Sequence, residues 1–341
     1  IAKYAQWYND ADFVQQTYNE ADDVNAALPS DSFYRLDAYE CYNNMGIWLD
    51  KSCIQFFHST VAPHILEFYP TVGVTRDVNS KPDFELYALR GLLSVRYTLV
   101  PLDKLNDWQE LGLEGWTLAD EVGSYQIYEN DNYVPMGFAY RYYITQEQFE
   151  SVPEDERGNI LMRAVLLDEE QIARYSDILS PLPDTSLADR GYDDYVQDCS
   201  DRRAAGVTEF TATRTGVTVV TDYDSDQLVF FSVPYDDGFT ATVNGQAARI
   251  EKVDNGLMAV RVPAGHAEIV FTYRTPGLDV GLAVTLTGLA AYALYLLWLR
   301  RGKQHAMPAA VPAAPEPILD VDLQPGPPQP DGPDDGGAGE P

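Results

Sequence analysis

The stretch Val280–Leu299, VGLAVTLTGLAAYALYLLWL, decides how this chain is organised. It holds no charged residue, and two arginines and a lysine follow it within four residues. A helix rises about 1.5 Å per residue, so roughly 20 apolar residues cross the hydrocarbon core of a bilayer. Cationic residues beside a span usually mark its cytoplasmic end. The pattern predicts a transmembrane helix over residues 278–299 with residues 1–279 extracytoplasmic, in preference to a buried core helix.

The segment before this run predicts a β-sandwich over residues 206–277. Runs rich in β-branched and aromatic residues recur about every ten residues. They are Thr208–Thr213, Val217–Asp222, Leu228–Val233, Thr240–Val243, Ala248–Lys252, Met258–Val262 and Glu268–Tyr273. Asn244-Gly245 and Asn255-Gly256 supply the positive φ that tight hairpins need. Short strands at this regular spacing are typical of an antiparallel β-sandwich.

Residues 1–205 have a mixed pattern that predicts both helices and strands. The predicted helices lie within residues 7–27, 62–69, 84–93 and 192–205, and the predicted strands within residues 33–37, 95–100, 125–129 and 138–144. The apolar run Ile160–Leu167, ILMRAVLL, is predicted to be a buried strand because it is short. The predicted fold class is α+β: a mixed α/β region, then an antiparallel β-sandwich, one transmembrane helix and a tail.

The composition of residues 300–341 predicts a disordered cytoplasmic tail. From residue 305 onward this segment is rich in Pro, Gly, Ala and Asp and has no aromatic residue. Such a sequence cannot bury enough apolar surface to offset the entropy lost on folding.

The start of the chain predicts that something precedes it. The sequence begins at Ile1 and shows no signal peptide. Export of residues 1–279 requires a targeting segment, so the simplest explanation is the C-terminal piece of a longer membrane protein. A processed secretory precursor is the alternative.

The charge balance excludes nucleic acid as a partner. The 53 acidic residues outnumber the 23 basic ones and give a formal net charge of −30. Such a surface repels nucleic-acid phosphates, and the scarcity of lysine argues against docking on anionic lipid. We interpret the acidity as a means of solubility outside the cell.

No cofactor and no metal site is predicted. Three cysteines without paired spacing argue against a disulfide scaffold or a zinc site, although Cys41 and Cys53 could pair across a short loop. The spacing of His58 and His64 does not place both on one helix face. The acidic stretch Asp222–Asp226 lacks the Gly and Glu positions of an EF-hand loop, so we interpret it as a solvated turn.

No catalytic residue is predicted, because the common hydrolase, phosphate-loop and dinucleotide motifs are missing from the sequence. The aromatic clusters are more informative. Phe56-Phe57-His58, Phe68-Tyr69 and Tyr140–Tyr143 could line a glycan groove. An aromatic core with tyrosine hydroxyls at its edge is the alternative, and the one that we favour.

The stretch Val229–Gly281 resembles the C-terminal outer domain of bacterial YfhO-type membrane proteins. The similar phrases are SVPYDDGF at Ser232–Phe239, VNG at Val243–Gly245, and GLMAV with VPAG within Gly256–Gly265. Phe239 stands where that family usually has Trp. Shorter phrases extend the resemblance over about residues 7–300: FYRL at Phe33–Leu36, Asn43-Asn44, His58-Ser59, LLSVRY at Leu92–Tyr97 and YEN at Tyr128–Asn130. Ser94 occupies a position that is commonly Gly in the family.

The resemblance implies a role in glycosylating cell-envelope polymers of the teichoic-acid type. YfhO-type proteins are polytopic and similar to GT-C glycosyltransferases, which take sugars from lipid-phosphate donors outside the cytoplasm. The acidic catalytic residue of that class lies in an early outer loop, to which nothing here corresponds. The implied role of this chain is therefore to hold the acceptor polymer or to brace the transferase core, with the membrane, an envelope glycan or a lipid-linked sugar as partners.

Two other functions stay open. One is a single-pass surface protein whose β-sandwich binds carbohydrate or a partner without enzymatic activity. The other is a free-standing glycosidase, which only the abundance of carboxylates supports.

The candidate ligand-binding residues are polar positions within the family-like phrases. They are Arg35, Asn43, Asn44, Ser59 and Asn130. Side chains of these types hydrogen-bond to sugars. The alternative, which we favour, is that they cap loops and satisfy buried backbone groups.

Overall fold

The computed structural model describes residues 11–58, 60–75, 79–184, 187, 190–213 and 215–304. The helices are α1 Ala11–Val14, α2 Ala21–Ala27, α3 Met45–Trp48, α4 Pro63–Thr71, α5 Ala88–Leu92, α6 Leu105–Glu110, α7 Gln146–Glu150, α8 Arg157–Arg163, α9 Glu169–Tyr175, α10 Tyr192–Ala204 and α11 Leu278–Gln304. A π-helical segment, Gln15–Asn19, follows α1, and a 3-10 turn, Leu102–Lys104, precedes α6.

Strands and helices occur together throughout the unit that ends at Leu278, which confirms the α+β class. The strands are β1 Arg35–Ala38, β2 Phe56–Phe57, β3 Asn79–Ser80, β4 Val95–Pro101, β5 Trp116–Val122, β6 Tyr125–Asn130, β7 Phe138–Ala139, β8 Tyr142–Ile144, β9 Ala164–Leu166, β10 Ser180–Pro181, β11 Glu209–Ala212, β12 Gly216–Tyr223, β13 Gln227–Pro234, β14 Phe239–Val243, β15 Gln246–Ala248, β16 Ile250–Val253, β17 Leu257–Val262 and β18 Gly265–Tyr273.

The antiparallel β-sandwich is confirmed. One sheet has the order β11-β12-β18-β14-β15 and the other the order β16-β17-β13-β7, with every pairing antiparallel. Val219 and Phe271 from the first sheet pack against Phe231 and Val260 from the second. Phe239, which stands where the family usually has Trp, also packs on this core. The alternation along the strands therefore buries one set of side chains between the sheets.

The four-stranded sheet of the sandwich is buried on its other face as well. Phe230, next to Phe231 on β13, belongs to a second core that includes Phe68 and Leu161 from the preceding region. A strand buried on both faces must be apolar at successive positions, and β13 has the sequence LVFFSV at Leu228–Val233. The residues before 206 and the sandwich therefore share a core, while the boundary at residue 206 stays a prediction.

A third layer precedes the sandwich. The sheet β1-β4-β6-β5 has one parallel pairing, β1 with β4, and its other pairings are antiparallel. Its inner face packs Leu36, Leu99 and Ile127 together with Val24 of α2. The predicted strands at 33–37, 95–100 and 125–129 correspond to β1, β4 and β6.

Several predicted elements have different bounds or types in the structure. The run Ile160–Leu167 was predicted as one strand, which is wrong: α8 covers Arg157–Arg163 and only Ala164–Leu166 is a strand. The helix α8 begins before the apolar run, and its buried residues lie on all sides of the helix. The run therefore shows no helical periodicity of apolar residues in the sequence. The helix predicted at 84–93 is confined to α5, and the strand predicted at 138–144 divides into β7 and β8.

The cysteines and the last helix complete the fold. Cys41, Cys53 and Cys199 are all free thiols. In the second unit, α11 is long and apolar enough over Leu278–Arg301 to cross a membrane. The tail was predicted to be disordered over residues 300–341, which is wrong at its start, because α11 continues through Gln304; residues from 305 onward lie outside the described residues.

Candidate functional site

Two cavities meet at Arg35. The larger, of about 520 Å³, is named the polar cavity because Asn44, Asp50, Lys51, Ser52 and Gln55 line it. The smaller, of about 330 Å³, is named the apolar cavity because Ile54, Val61, Ala62, Ile65, Leu93 and Leu257 line it. Arg35, Cys53 and Phe56 line both. The volumes are within or near the range of about 300–1,000 Å³ found for small-molecule sites.

Arg35 is placed by the start of β1 and by a bulge in β13. Its backbone N–H donates to the Ser94 carbonyl, which sets the side chain between the first sheet and the sandwich. The register of β13 against β17 shifts between Phe231 and Pro234, so Ser232 is outside the ladder. Arg35 Nη2 donates to the Ser232 carbonyl at 2.8 Å and Nη1 to the Ser232 hydroxyl at 2.9 Å. The guanidinium therefore satisfies the acceptor that the bulge releases.

The charge of Arg35 is not matched by an acidic side chain. Its third hydrogen bond, from Nη1, goes to the Leu93 carbonyl at 2.7 Å, so these three acceptors are all neutral. Among the described residues, no carboxylate forms an ion pair with it. Burial of the guanidinium lowers the pKa of Arg35 to about 10. An anion placed at this point would relieve the cost of that buried charge.

The polar cavity has a wall fixed by a buried ion pair. Gln55 Nε2 donates to Asp37 Oδ1 at 2.7 Å, and Asp37 Oδ2 accepts from Arg90 Nη2 at 2.8 Å. Asp37 and Arg90 are both almost completely buried. Gln55 is thus held by the Asp37 carboxylate, which cannot move without breaking its ion pair with Arg90. The amide oxygen of Gln55 accepts no hydrogen bond from the described residues.

An exposed aromatic ring completes the polar cavity. Phe56 is 42 % exposed and lines the cavity, while the neighbouring Phe57 is 49 % exposed and does not. Asn44 holds this short strand, because its amide donates to the Phe57 carbonyl and accepts from the Phe57 N–H. Asn44 has a φ of +64°, which Asn adopts more readily than most residues.

The other aromatic clusters that were considered for a glycan groove are not exposed in the same way, because Phe68, Tyr69 and Tyr140 are buried in the core.

The structure brings together two of the predicted site residues. Arg35 and Asn44 both line the polar cavity. Asn43 is exposed next to Asn44 and is not among the lining residues. Asn130 lies elsewhere, where its amide donates to the Val95 carbonyl and accepts from the Asn132 N–H. Ser59 lies outside the described residues, and ligand binding by any of the five stays a prediction.

Sequence reasoning missed Gln55, Lys51 and Ser232 as site residues. Ser232 is part of the family-like phrase at Ser232–Phe239, so a signal was present in the chain. Gln55 and Lys51 carry no motif, and only the fold of the loop after α3 places them beside Arg35.

The side chains of the two cavities offer polar, charged and apolar groups. Burial raises the pKa of Cys53 to about 12, so its thiol stays protonated and is a poor nucleophile at neutral pH. The described residues contain no group of three or more His, Cys, Asp or Glu side chains that could hold a metal ion. The polar cavity otherwise offers hydrogen-bond donors and acceptors, the cations of Arg35 and Lys51, the carboxylate of Asp50 and the ring of Phe56.

Comparison with known proteins identifies the family. An α+β unit with a β-sandwich, followed by one apolar helix, defines a membrane-anchored protein. The sequence matches the family described as "Bacterial membrane protein YfhO" over residues 1–181 and 181–285, and the chain belongs to that family of membrane proteins.

One curated relative is similar to a shorter stretch. "Uncharacterized protein YfhO" of Bacillus subtilis (strain 168) is 27 % identical over 71 residues, which is 21 % of this chain and 8 % of that protein. The aligned stretch is thus a small part of the relative. No solved structure matches the chain.

Proposed function

We propose that the unit before α11 holds the acceptor polymer for a sugar transfer at the outer face of the membrane. The acceptor is a cell-envelope polymer of the teichoic-acid type, and the sugar comes from a lipid-linked donor. The observation that carries this proposal is the polar cavity, which combines planar amides, the Ser52 hydroxyl, two cations, the Asp50 carboxylate and an exposed aromatic ring. Family membership supports the envelope setting.

The residues of the polar cavity suit a polymer with hydroxyl and phosphate groups. The Gln55 amide and the Ser52 hydroxyl offer donors and acceptors for hydroxyl groups. Arg35 and Lys51 offer positive charge for a phosphate. Phe56 offers an apolar face on which the aliphatic face of a sugar or polyol packs. Holding the acceptor in a fixed orientation contributes to transfer by proximity.

The proposal includes a topology and a division of the chain. Residues 1–205 form the mixed region and 206–277 the sandwich, both extracytoplasmic, and residues 278–299 cross the membrane towards a cytoplasmic segment at 300–341. The apolar helix and the cationic residues after it support this arrangement. Cysteine substituted at the exposed position Ala212 should react with a membrane-impermeant maleimide added to intact cells. Protection at that position would refute the topology.

A binding assay tests acceptor holding. The chain is purified in nanodiscs of neutral lipid, and its affinity for polyglycerol phosphate oligomers is measured by calorimetry. We expect Phe56→Ala and Gln55→Leu each to weaken binding by about fivefold or more, because truncating a central contact costs about 1 kcal/mol or more. Phe57→Ala is the matched control, since Phe57 is equally exposed but lies outside the cavity. Equal losses for Phe56→Ala and Phe57→Ala would refute the site.

The same variants separate transferase support from simple carbohydrate binding. In cells, loss of acceptor holding should lower the sugar content of the envelope polymer in proportion to the loss of affinity. A protein that only binds carbohydrate at the surface would lose affinity without changing that content, which would favour the single-pass alternative.

A further inference from the structure

The apolar cavity beside Arg35 has features that acceptor holding does not use. Six aliphatic side chains line it, together with Pro234 and Phe56, and its polar lining besides Arg35 consists of Cys53, His58, Thr60, Tyr69, Ser80 and Ser232. A hydroxyl-rich polymer would leave most of this surface unsatisfied, since apolar walls offer it no hydrogen bonds. The cavity therefore requires an occupant with an apolar portion.

The guanidinium of Arg35 has one edge free. An arginine has five N–H donors, and three of those of Arg35 donate to Leu93 and Ser232. Because both Nη atoms bind Ser232, that residue occupies the edge between them. The Nε–H and the second N–H of Nη2 have no acceptor within the described residues. Two parallel donors of this kind match a phosphate or a carboxylate.

The unpaired charge of Arg35 itself favours an anion at this edge. The chain has a formal net charge of −30, yet no carboxylate of the described residues pairs with Arg35. By contrast, Arg90 pairs with Asp37, and Arg174 pairs with Glu251. A buried cation without a counter-charge is costly, and an anionic ligand removes that cost.

We propose that the apolar cavity binds an amphipathic organic anion, with a phosphate or carboxylate head on the free edge of Arg35 and a short aliphatic chain among Ile54, Ala62 and Ile65. The two sites share Arg35, Cys53 and Phe56, but Ala62 and Ile65 line only the apolar cavity and Gln55 lines only the polar one. Each site can therefore be altered while the other is kept.

The probe is hexyl phosphate, compared with inorganic phosphate and with 1-hexanol. The chain is held in nanodiscs of neutral lipid, and affinities are measured by calorimetry with empty nanodiscs subtracted. We expect hexyl phosphate to bind at least tenfold more tightly than either comparison compound, since it alone satisfies both the guanidinium edge and the apolar wall. Equal binding of inorganic phosphate would overturn the proposal, because the aliphatic portion would then contribute nothing.

Variants link the binding to this cavity. Ala62→Trp adds bulk within the apolar cavity while keeping Arg35 and its acceptor residues Leu93 and Ser232, and it should weaken hexyl phosphate at least tenfold. Ala212→Trp, on the exposed edge strand β11, is the matched control and should bind as the parent does. Arg35→Lys keeps the positive charge but loses the pair of parallel N–H donors of the guanidinium. We expect its affinity for hexyl phosphate to fall several-fold. Unchanged affinity in Ala62→Trp would overturn the proposal.

The outcomes distinguish this inference from acceptor holding. Gln55→Leu should lower the affinity for polyglycerol phosphate and leave hexyl phosphate unchanged, and Ala62→Trp should do the reverse. If Arg35→Lys unfolds the chain, the result for Ala62→Trp still decides the question, because that variant retains Arg35 together with its acceptor residues Leu93 and Ser232.

Discussion

Asp254 provides the sharpest test of how the sandwich is held. This residue follows β16 in a tight turn with φ of +50° and is completely buried. Its Oδ1 accepts from the Leu166 N–H at 2.7 Å, and its own N–H donates to the Leu166 carbonyl at 3.2 Å. Its Oδ2 has no partner within the described part of the chain. Burial raises the pKa of the Asp254 carboxyl to about 8, so it is protonated in the folded chain at neutral pH.

The raised pKa has a defined effect on stability. An unfolded Asp has a pKa of about 3.9, so between pH 4 and 8 the folded chain holds a proton that the unfolded chain has lost. The favourable contribution of that proton is fully present below about pH 4 and is lost as pH rises towards 8. At pH 7 the loss is on the order of 4 kcal/mol, from about 1.4 kcal/mol per pH unit over about three units.

Asp254→Asn removes this dependence. The amide oxygen still accepts from the Leu166 N–H, and Asn tolerates a positive φ. The new NH₂ group is left without a partner, which costs about 1–3 kcal/mol. We expect the variant to be more stable than the parent by about 1–3 kcal/mol at pH 7 and to lose this advantage by pH 5.

The assay is urea unfolding in nanodiscs from pH 5 to pH 8, followed by the fluorescence of Trp108 and Trp116. Asp222→Asn is the control, because that carboxylate is exposed on β12 of the same sandwich and should change stability by less than about 0.5 kcal/mol. A stability difference between Asp254→Asn and the parent that stays constant with pH would refute the reasoning.

Four further substitutions test the packing of the fold, each by urea unfolding. Asp37→Asn leaves the charge of Arg90 buried and unpaired and should cost about 3–5 kcal/mol. Gly216→Ala should lower the free energy of unfolding by about 3 kcal/mol, because a β-carbon there overlaps the Phe271 carbonyl of the paired strand. Gly245→Ala has open space around the new β-carbon but a φ of +76°, so it should lower that free energy by only about 1 kcal/mol. Ser94→Gly should stabilise by about 1 kcal/mol, because Ser94 has φ of +58° and a buried hydroxyl without a partner among the described residues.

The sandwich could be predicted because its signal is local. Period-two alternation and Asn-Gly turns lie within a few residues of each other, and the hairpin β14–β15 follows directly from Asn244-Gly245. The edge strand β5 could not be predicted, because its residues Thr117–Glu121 are exposed on both faces and have no alternation of polarity. The apolar helix α11 was evident from composition alone.

The candidate site could be predicted only in part, since its contacts join distant residues. Arg35 and Ser232 are 197 residues apart, and nothing local to either indicates the bond between them. Family-like phrases correctly indicated Arg35 and Asn44 as residues that line the polar cavity. They also indicated Asn130, which lines neither cavity and hydrogen-bonds to the Val95 carbonyl. Gln55 and Lys51 fall in a loop without periodicity, so their place beside Arg35 depends on the tertiary fold.

The four-stranded sheet of the sandwich is fixed to the preceding region at several points, and this predicts a single cooperative unit. Arg35 binds the bulge of β13, and Asp254 binds β9 through Leu166. β13 is also buried on both faces, so separating the sandwich would expose Phe230 to water. Hydrogen exchange of peptides from β13 and from α8 should therefore change at the same urea concentration. If α8 lost its protection from exchange while β13 stayed protected, the sandwich would fold independently of the preceding region. The cavities would then depend on an interface between the two that opens without unfolding the sandwich.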